Sequence, residues 1–173
     1  MIVAWLVIVL LAAAALSVIV HMLRSEGSQP ARTWVRRTQA APFAILAILS
    51  LWIAQRAPNG RKPFAVDFSL DRQDLIQSMT KVPHLVGSAV FFLLAVVAFG
   101  TRRIGRALLA TMLLGIGWEL GETTVVRHYA RLTDLAPDLT GAVLALALVA
   151  AIRWFTDGPA VPSSPIADDD PAI

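Results

Sequence analysis

Between Ile2 and Leu23 the only ionisable side chain is His21. At 1.5 Å per residue this stretch makes a helix about 33 Å long, enough to cross a hydrocarbon core of roughly 30 Å. Within lipid, backbone amides must be satisfied inside the segment, so a helix is the form open to it. Four more apolar runs follow, at about residues 40–54, 82–100, 107–120 and 139–155. Trp34 and Trp52 flank the second run, Trp118 stands near the end of the fourth, and Trp154 at the exit of the fifth. Tryptophan suits the two faces of a bilayer. The chain is 57% apolar, with a mean hydropathy of +0.67, against about 45–50% apolar for a soluble domain. The expectation is an all-α integral membrane protein with about five transmembrane helices in residues 1–155.

Ala12–Ala15 followed by Leu16–Ser17 faintly resembles a leader cleavage region. The basic n-region is missing and the apolar run is too long, so a retained helix is expected. Residues 156–173 carry Pro159, Pro162, Pro165, Pro171 and the acidic run Asp168–Asp170. Such a segment buries too little apolar surface to fold, which predicts a disordered tail. No internal repeat is visible.

The absence of cysteine excludes disulfides, thiolate metal sites and cysteine nucleophiles. Net charge is +3, and Lys62 and Lys81 are the only lysines among 15 basic residues. No basic run has the aromatic interleaving that nucleic-acid binding needs. No glycine-rich phosphate loop, nucleophile elbow or other cofactor motif is present.

The arginines set an orientation. Arg24, Arg32, Arg36 and Arg37 fill the first loop, Arg102, Arg103 and Arg106 the third, and Arg153 ends the last span. The positive-inside rule places these in the cytoplasm, with the N-terminus outside and the C-terminus inside. The second loop carries Arg56, Arg61, Lys62, Arg72 and Lys81, offset by Asp67, Asp71 and Asp74. Leu75, Ile76 and Met79 share one helical face there, as a surface-lying helix or an ordinary packed loop helix would.

Five spans put the end of loop two and all of loop four on one side, whichever side that is. Lys81 and His84 then meet Glu119, Glu122, His128, Asp134 and Asp138 at one membrane face. Glu119 and Glu122 share a helical face, and two close carboxylates in a low dielectric call for a cationic partner. Lys81, Arg127 and Arg131 are at hand. Three chemistries compete. A metal could use His84, Glu119, Glu122 and His128, although no strong ligand signature is present. Acid–base or proton-relay work could use Glu119 with His84. A head-group site could set Lys81, Arg127 and Arg131 against lipid phosphate. Structural readings stand beside these. Asp138 follows Pro137 and reads as an N-cap of the last span, with Asp134 favouring the same helix end. His128 reads as a solvated loop residue. Gly115, Gly117 and Gly141 suit close helix packing. Glu119, directly after Trp118 in an apolar run, has no capping role.

The order Lys81-x-x-His84, then Glu119-x-x-Glu122, His128, Asp134, Asp138 and Gly141 resembles the VanZ-like family of small bacterial membrane proteins. That family shows Asp-Lys-x-x-His, then Glu-x-x-Gln, then Arg, then Asp-x-x-x-Asn-x-x-Gly. The spacing from Glu119 to Gly141 fits without a gap, and the resemblance covers about residues 80–155. Lys81, His84, Glu119, Asp134 and Gly141 match in identity. Thr80, Glu122, His128 and Asp138 depart from the pattern. The resemblance implies a protein of the bacterial inner membrane, acting on or near the outer leaflet. The family's named member is linked to low-level teicoplanin resistance, a cell-envelope phenotype. On this reading His84, Glu119, Glu122 and Asp134 carry chemistry. Lys81, Arg127, Arg131 and Asp138 bind a lipid-linked or surface ligand. A transport or ion-coupling subunit, or a structural partner of another membrane protein, are the other classes the sequence allows.

Overall fold

The structure is a computed structural model and describes residues 2–24, 33–57, 59–126, 128 and 130–157. The expected tail therefore lies almost wholly outside the described residues. Among the described residues there are six α-helices: α1 (Ile2–Arg24), α2 (Thr33–Ala54), α3 (Arg72–Met79), α4 (Val82–Phe99), α5 (Ile104–Glu122) and α6 (Leu135–Asp157). Counting the 3-10 turns Thr101–Arg103 and Leu132–Asp134 that lead into α5 and α6, four helical stretches are long and apolar enough to cross a membrane: Leu6–Arg24, Val82–Phe99, Thr101–Glu122 and Leu132–Thr156. The apolar part of α2, Thr38–Ala54, is shorter. Helix α2 begins before its apolar run and carries Pro42 within it. Likewise α6 starts four residues before the expected span and ends at Asp157, inside the residues assigned to the tail.

Helix α4 is the axis. Residues 92–97 are all buried, and six consecutive positions cover every side of a helix, so α4 must be surrounded. It packs against α1, α2, α5 and α6. Small residues let the backbones approach: Ala142, Ala145 and Val149 of α6 are buried at helical spacing. At Gly141 a Cβ would collide with the Leu85 carbonyl oxygen and Ser88 Oγ. On α5, a Cβ at Gly117 would come within 2.9 Å of Leu51 Cδ2, and one at Gly121 within 3.0 Å of the Ala54 Cβ. At these three positions a glycine lets its helix close on its neighbour, against backbone at Gly141 and against a side chain at Gly117 and Gly121. Large apolar side chains cover the outside instead, among them Leu6, Leu10, Ile48, Leu109 and Leu144.

The helix ends sort themselves. Met22 lies by Gly100, so α1 ends where α4 ends. Gly121 lies by Ala54, so α2 and α5 end together. His84 meets Asp138, so α4 and α6 start together. Arg24, Arg102, Arg103, Arg106 and Arg153 consequently share one end of the bundle.

At the other end the two long loops are stitched together. Strand β1 (Val66–Asp67) pairs in parallel with β2 (Ala130–Arg131), in register Val66 to Ala130 and Asp67 to Arg131. An antiparallel bridge joins Arg61 to Val125, with the Lys62 amide donating to the Thr124 carbonyl at 2.8 Å. The Lys62 ammonium donates to the His128 carbonyl. Asp67 accepts the Ser69 amide at 2.9 Å, which holds its carboxyl below the ordinary aspartate range.

Candidate functional site

The stitched loops bring the ends of α3 and α5 and the starts of α4 and α6 to one place. Asp71 begins α3 as an N-cap, its carboxylate accepting the Gln73 amide. One helical stretch later Ser78 is buried, and its hydroxyl donates to Asp134 Oδ1 at 2.6 Å. Thr133 Oγ1 lies 3.3 Å from the same hydroxyl. Lys81, at the junction of α3 and α4, reaches the same Asp134 oxygen at 2.6 Å. Asp134 is only 3% exposed at its side chain, whereas Lys81 is 41% exposed. A buried carboxylate thus receives a hydroxyl and an ammonium whose tip still meets solvent. Asp134 directly precedes α6, yet its carboxylate serves α3 and α4.

Asp138 is not an N-cap. It sits inside the first turn of α6. Its Oδ1 lies 3.6 Å from His84 Nδ1, and its Oδ2 lies where a Cβ on Gly115 would be 2.8 Å away. The missing side chain at Gly115 makes room for this carboxylate, so α4, α5 and α6 converge on Asp138. At 3.6 Å the pair interacts as charge and dipole but lacks a tight hydrogen bond. The His84 ring also meets the Trp118 ring edge to face, centroids 6.4 Å apart.

Glu122 is held from two sides. Trp118 Nε1 donates to it at 2.9 Å, and His128 Nδ1 lies 3.2 Å from its second oxygen. Glu119 differs. It is buried, and its Oε2 has no hydrogen-bond partner among the described residues. Asp134, Glu122, His84 and Lys81 all lie within electrostatic range of it.

Seven of the expected site residues therefore gather at one end: Lys81, His84, Glu119, Glu122, His128, Asp134 and Asp138. The pairings differ from those the sequence suggested. His84 faces Asp138 rather than a glutamate. Lys81 serves Asp134 rather than Glu119. Arg131 reaches this end but donates to Asp74 at 2.7 Å, so it is not poised toward the acidic residues of α5. Arg127 lies outside the described residues. The set His84, Glu119, Glu122 and His128 does not assemble as metal ligands. Among the described residues no three histidines or carboxylates are grouped to hold a metal ion. With Lys81 and Arg131 each committed to a carboxylate, the described cluster is acceptor-rich, which disfavours a phosphate at this spot.

Beside the cluster is a cavity of about 280 Å³, walled mainly by α4 and α5 and closed by Ser50 of α2 and Asp138 of α6. The sequence reading passed over Ser78, Ser88 and Thr111. A signal for the cavity was present: His84, Gly87, Ser88 and Phe91 repeat at helical spacing, as do Thr111, Leu114, Gly115 and Trp118. No protein-family model, curated protein or solved structure matches the chain.

Proposed function

We propose that this is a bacterial inner-membrane protein of the VanZ-like kind, with five crossing helices, whose polar site faces outward and binds or modifies a lipid-linked or surface ligand. The observation that carries the reading is the convergence of Lys81, His84, Glu119, Asp134 and Asp138 at one end of a bundle whose outside is apolar. Ionisable groups at membrane depth are costly and mark functional sites. The opposite end gathers arginines, which supports a cytoplasmic placement for it and an outward one for the site.

Two measurements test this. Single cysteines replacing exposed Ser69 and Leu132 should react with a membrane-impermeant thiol reagent in intact cells, and one replacing Arg103 should not. The chain has no cysteine to interfere. Reaction of Ser69→Cys and Leu132→Cys from opposite sides would overturn the arrangement. Glu119→Gln keeps shape and removes charge. It should abolish resistance to envelope-targeting drugs such as teicoplanin in a deletion strain while the protein still inserts. An active Glu119→Gln variant at normal abundance would leave packing as the better account of this residue.

A second reading, an ion- or proton-coupling subunit, draws on the unpartnered Glu119 Oε2. It predicts Glu119-dependent proton flux in liposomes, reported by an internal pH dye.

A further inference from the structure

We propose that the cavity between α4 and α5 holds the hydrocarbon chain of a single-chain amphiphile, whose polar end is a hydrogen-bond donor, a hydroxyl or an amine, at His84 and Asp138. This rests on the ligand-binding reading above and names the ligand class of that site.

The ionisable groups of the cavity lie at one end only, at His84 and Asp138. Along α4 it runs from His84 to Phe91, and along antiparallel α5 from Trp118 to Thr111. Both are seven residues, so the slot is about 10 Å long. Gly87, Phe91 and Leu114 make the deeper walls apolar. Three hydroxyls line the slot, those of Ser50, Ser88 and Thr111, and the last two are spent on their own helices. Ser88 donates to the Leu85 carbonyl at 3.1 Å, and Thr111 to the Ala107 carbonyl at 2.9 Å. The hydrogens of both are therefore withheld from anything in the slot. His84 and Asp138 bring the ionisable groups to the mouth, and their 3.6 Å separation leaves both short of a full hydrogen bond. A volume near 280 Å³ sits at the low end of the ~300–1,000 Å³ seen for small-ligand sites. The slot is shorter than an extended hexadecyl chain, so it takes the part of one chain next to the polar end, and a pair of chains does not fit.

The polar end follows from the acceptor excess. Asp138 lines the mouth, and the neighbouring Lys81 is already bound to Asp134. Glu119, outside the cavity lining, has an Oε2 with no hydrogen-bond partner among the described residues. A group that brings hydrogens relieves this arrangement, and an anionic phosphate aggravates it.

Gly87 supplies the test. A Cβ built there meets nothing within 4 Å, so a side chain at this position enters the slot without striking protein. The probe is hexadecanol carrying a photoreactive diazirine in the part of its chain next to the hydroxyl, applied to the purified full chain in nanodiscs. In the parent, label should map to Phe91, Leu114 or Trp118. Gly87→Leu should cut that labelling roughly tenfold, the effect of filling a packed site, and Gly87→Ala should cut it less. Gly105, also open but at the other end of α5, is the control, and Gly105→Leu should change nothing. Label on the exposed Leu6 and Leu10 face should be equal in all variants. Excess hexadecanol or hexadecylamine should compete, and hexadecyl phosphate should not. Equal labelling of Phe91, Leu114 and Trp118 in the parent and both folded Gly87 variants would overturn the chain slot. Competition by the phosphate alone would overturn the donor assignment. The two ideas part cleanly. If Glu119→Gln is inactive but the Gly87 variants label and function like the parent, the ligand site stands and the slot falls. If Glu119→Gln and Asp138→Leu are both fully active, the ligand site itself falls.

Discussion

Lys81→Met tests whether Asp134 is a buried charge that depends on its cation. The carboxylate is 3% exposed, and its two close partners are the Lys81 ammonium and the Ser78 hydroxyl, each at 2.6 Å. Breaking a fully buried ion pair costs about 3–5 kcal/mol, because the remaining charge stays desolvated. Lys81 is 41% exposed, so water screens the pair and already compensates part of that penalty. A loss of about 1–3 kcal/mol follows. Asp134→Asn keeps an acceptor for Ser78 and needs no cation. The double variant Lys81→Met, Asp134→Asn should therefore be more stable than additivity predicts, by about 1–2 kcal/mol. The assay is thermal unfolding of purified protein in one detergent, where 1 kcal/mol moves the midpoint by about 2–4 °C for a chain of this size. Strict additivity of the two single changes, or a Lys81→Met protein as stable as the parent, would refute the pairing.

Gly141→Ala should be among the most destabilising small changes, by about 1–3 kcal/mol, because its Cβ meets the Leu85 backbone carbonyl rather than a movable side chain; a thermal midpoint within a degree of the parent would count against the α4–α6 contact. Gly105→Ala is the matched comparison, and in open space it should be neutral or stabilising by about 0.5–1 kcal/mol on the same melt. Ser78→Ala removes one donor from a buried carboxylate and should cost about 1–3 kcal/mol, read as a shift in the same midpoint. Arg131→Gln, at a half-exposed pair with Asp74, should cost no more than about 1 kcal/mol.

The helices were legible because apolar runs of this length leave the backbone few alternatives. Their ends were less so. Pro42 and the polar start of α2 hid a helix that begins at Thr33, since helix formation does not stop where hydropathy does. The meeting of loops two and four was legible from span parity, and the strand pairing of Val66 and Asp67 with Ala130 and Arg131 bears it out. The partners within the site were not legible. Charge spacing shows which residues reach one end, but pairing is decided by backbone approach. Asp138 reaches His84 only because Gly115 has no side chain to stand in its way. Ser78 left no mark in the sequence at all, because a serine on a short polar helix has the same pattern whether it faces water or a carboxylate.

Asp138→Asn separates shape from charge at a residue where α4, α5 and α6 meet. As an N-cap, Asp138 would tolerate asparagine because both cap well, but the structure removes that explanation. The reason must instead lie with His84 and Gly115. Asparagine has the same volume, so it fits beside Gly115, and its carbonyl oxygen can still accept from His84 Nδ1 when that nitrogen carries the proton. It also accepts from a hydroxyl at the cavity mouth. Folding and drug resistance should therefore both survive Asp138→Asn. Asp138→Leu keeps bulk but offers no acceptor, and should lose resistance while the protein remains in the membrane. Loss of resistance in Asp138→Asn at normal abundance would show that the negative charge itself is needed. The ligand's polar end would then be a cation, and hexadecylamine should displace the photoprobe far better than hexadecanol.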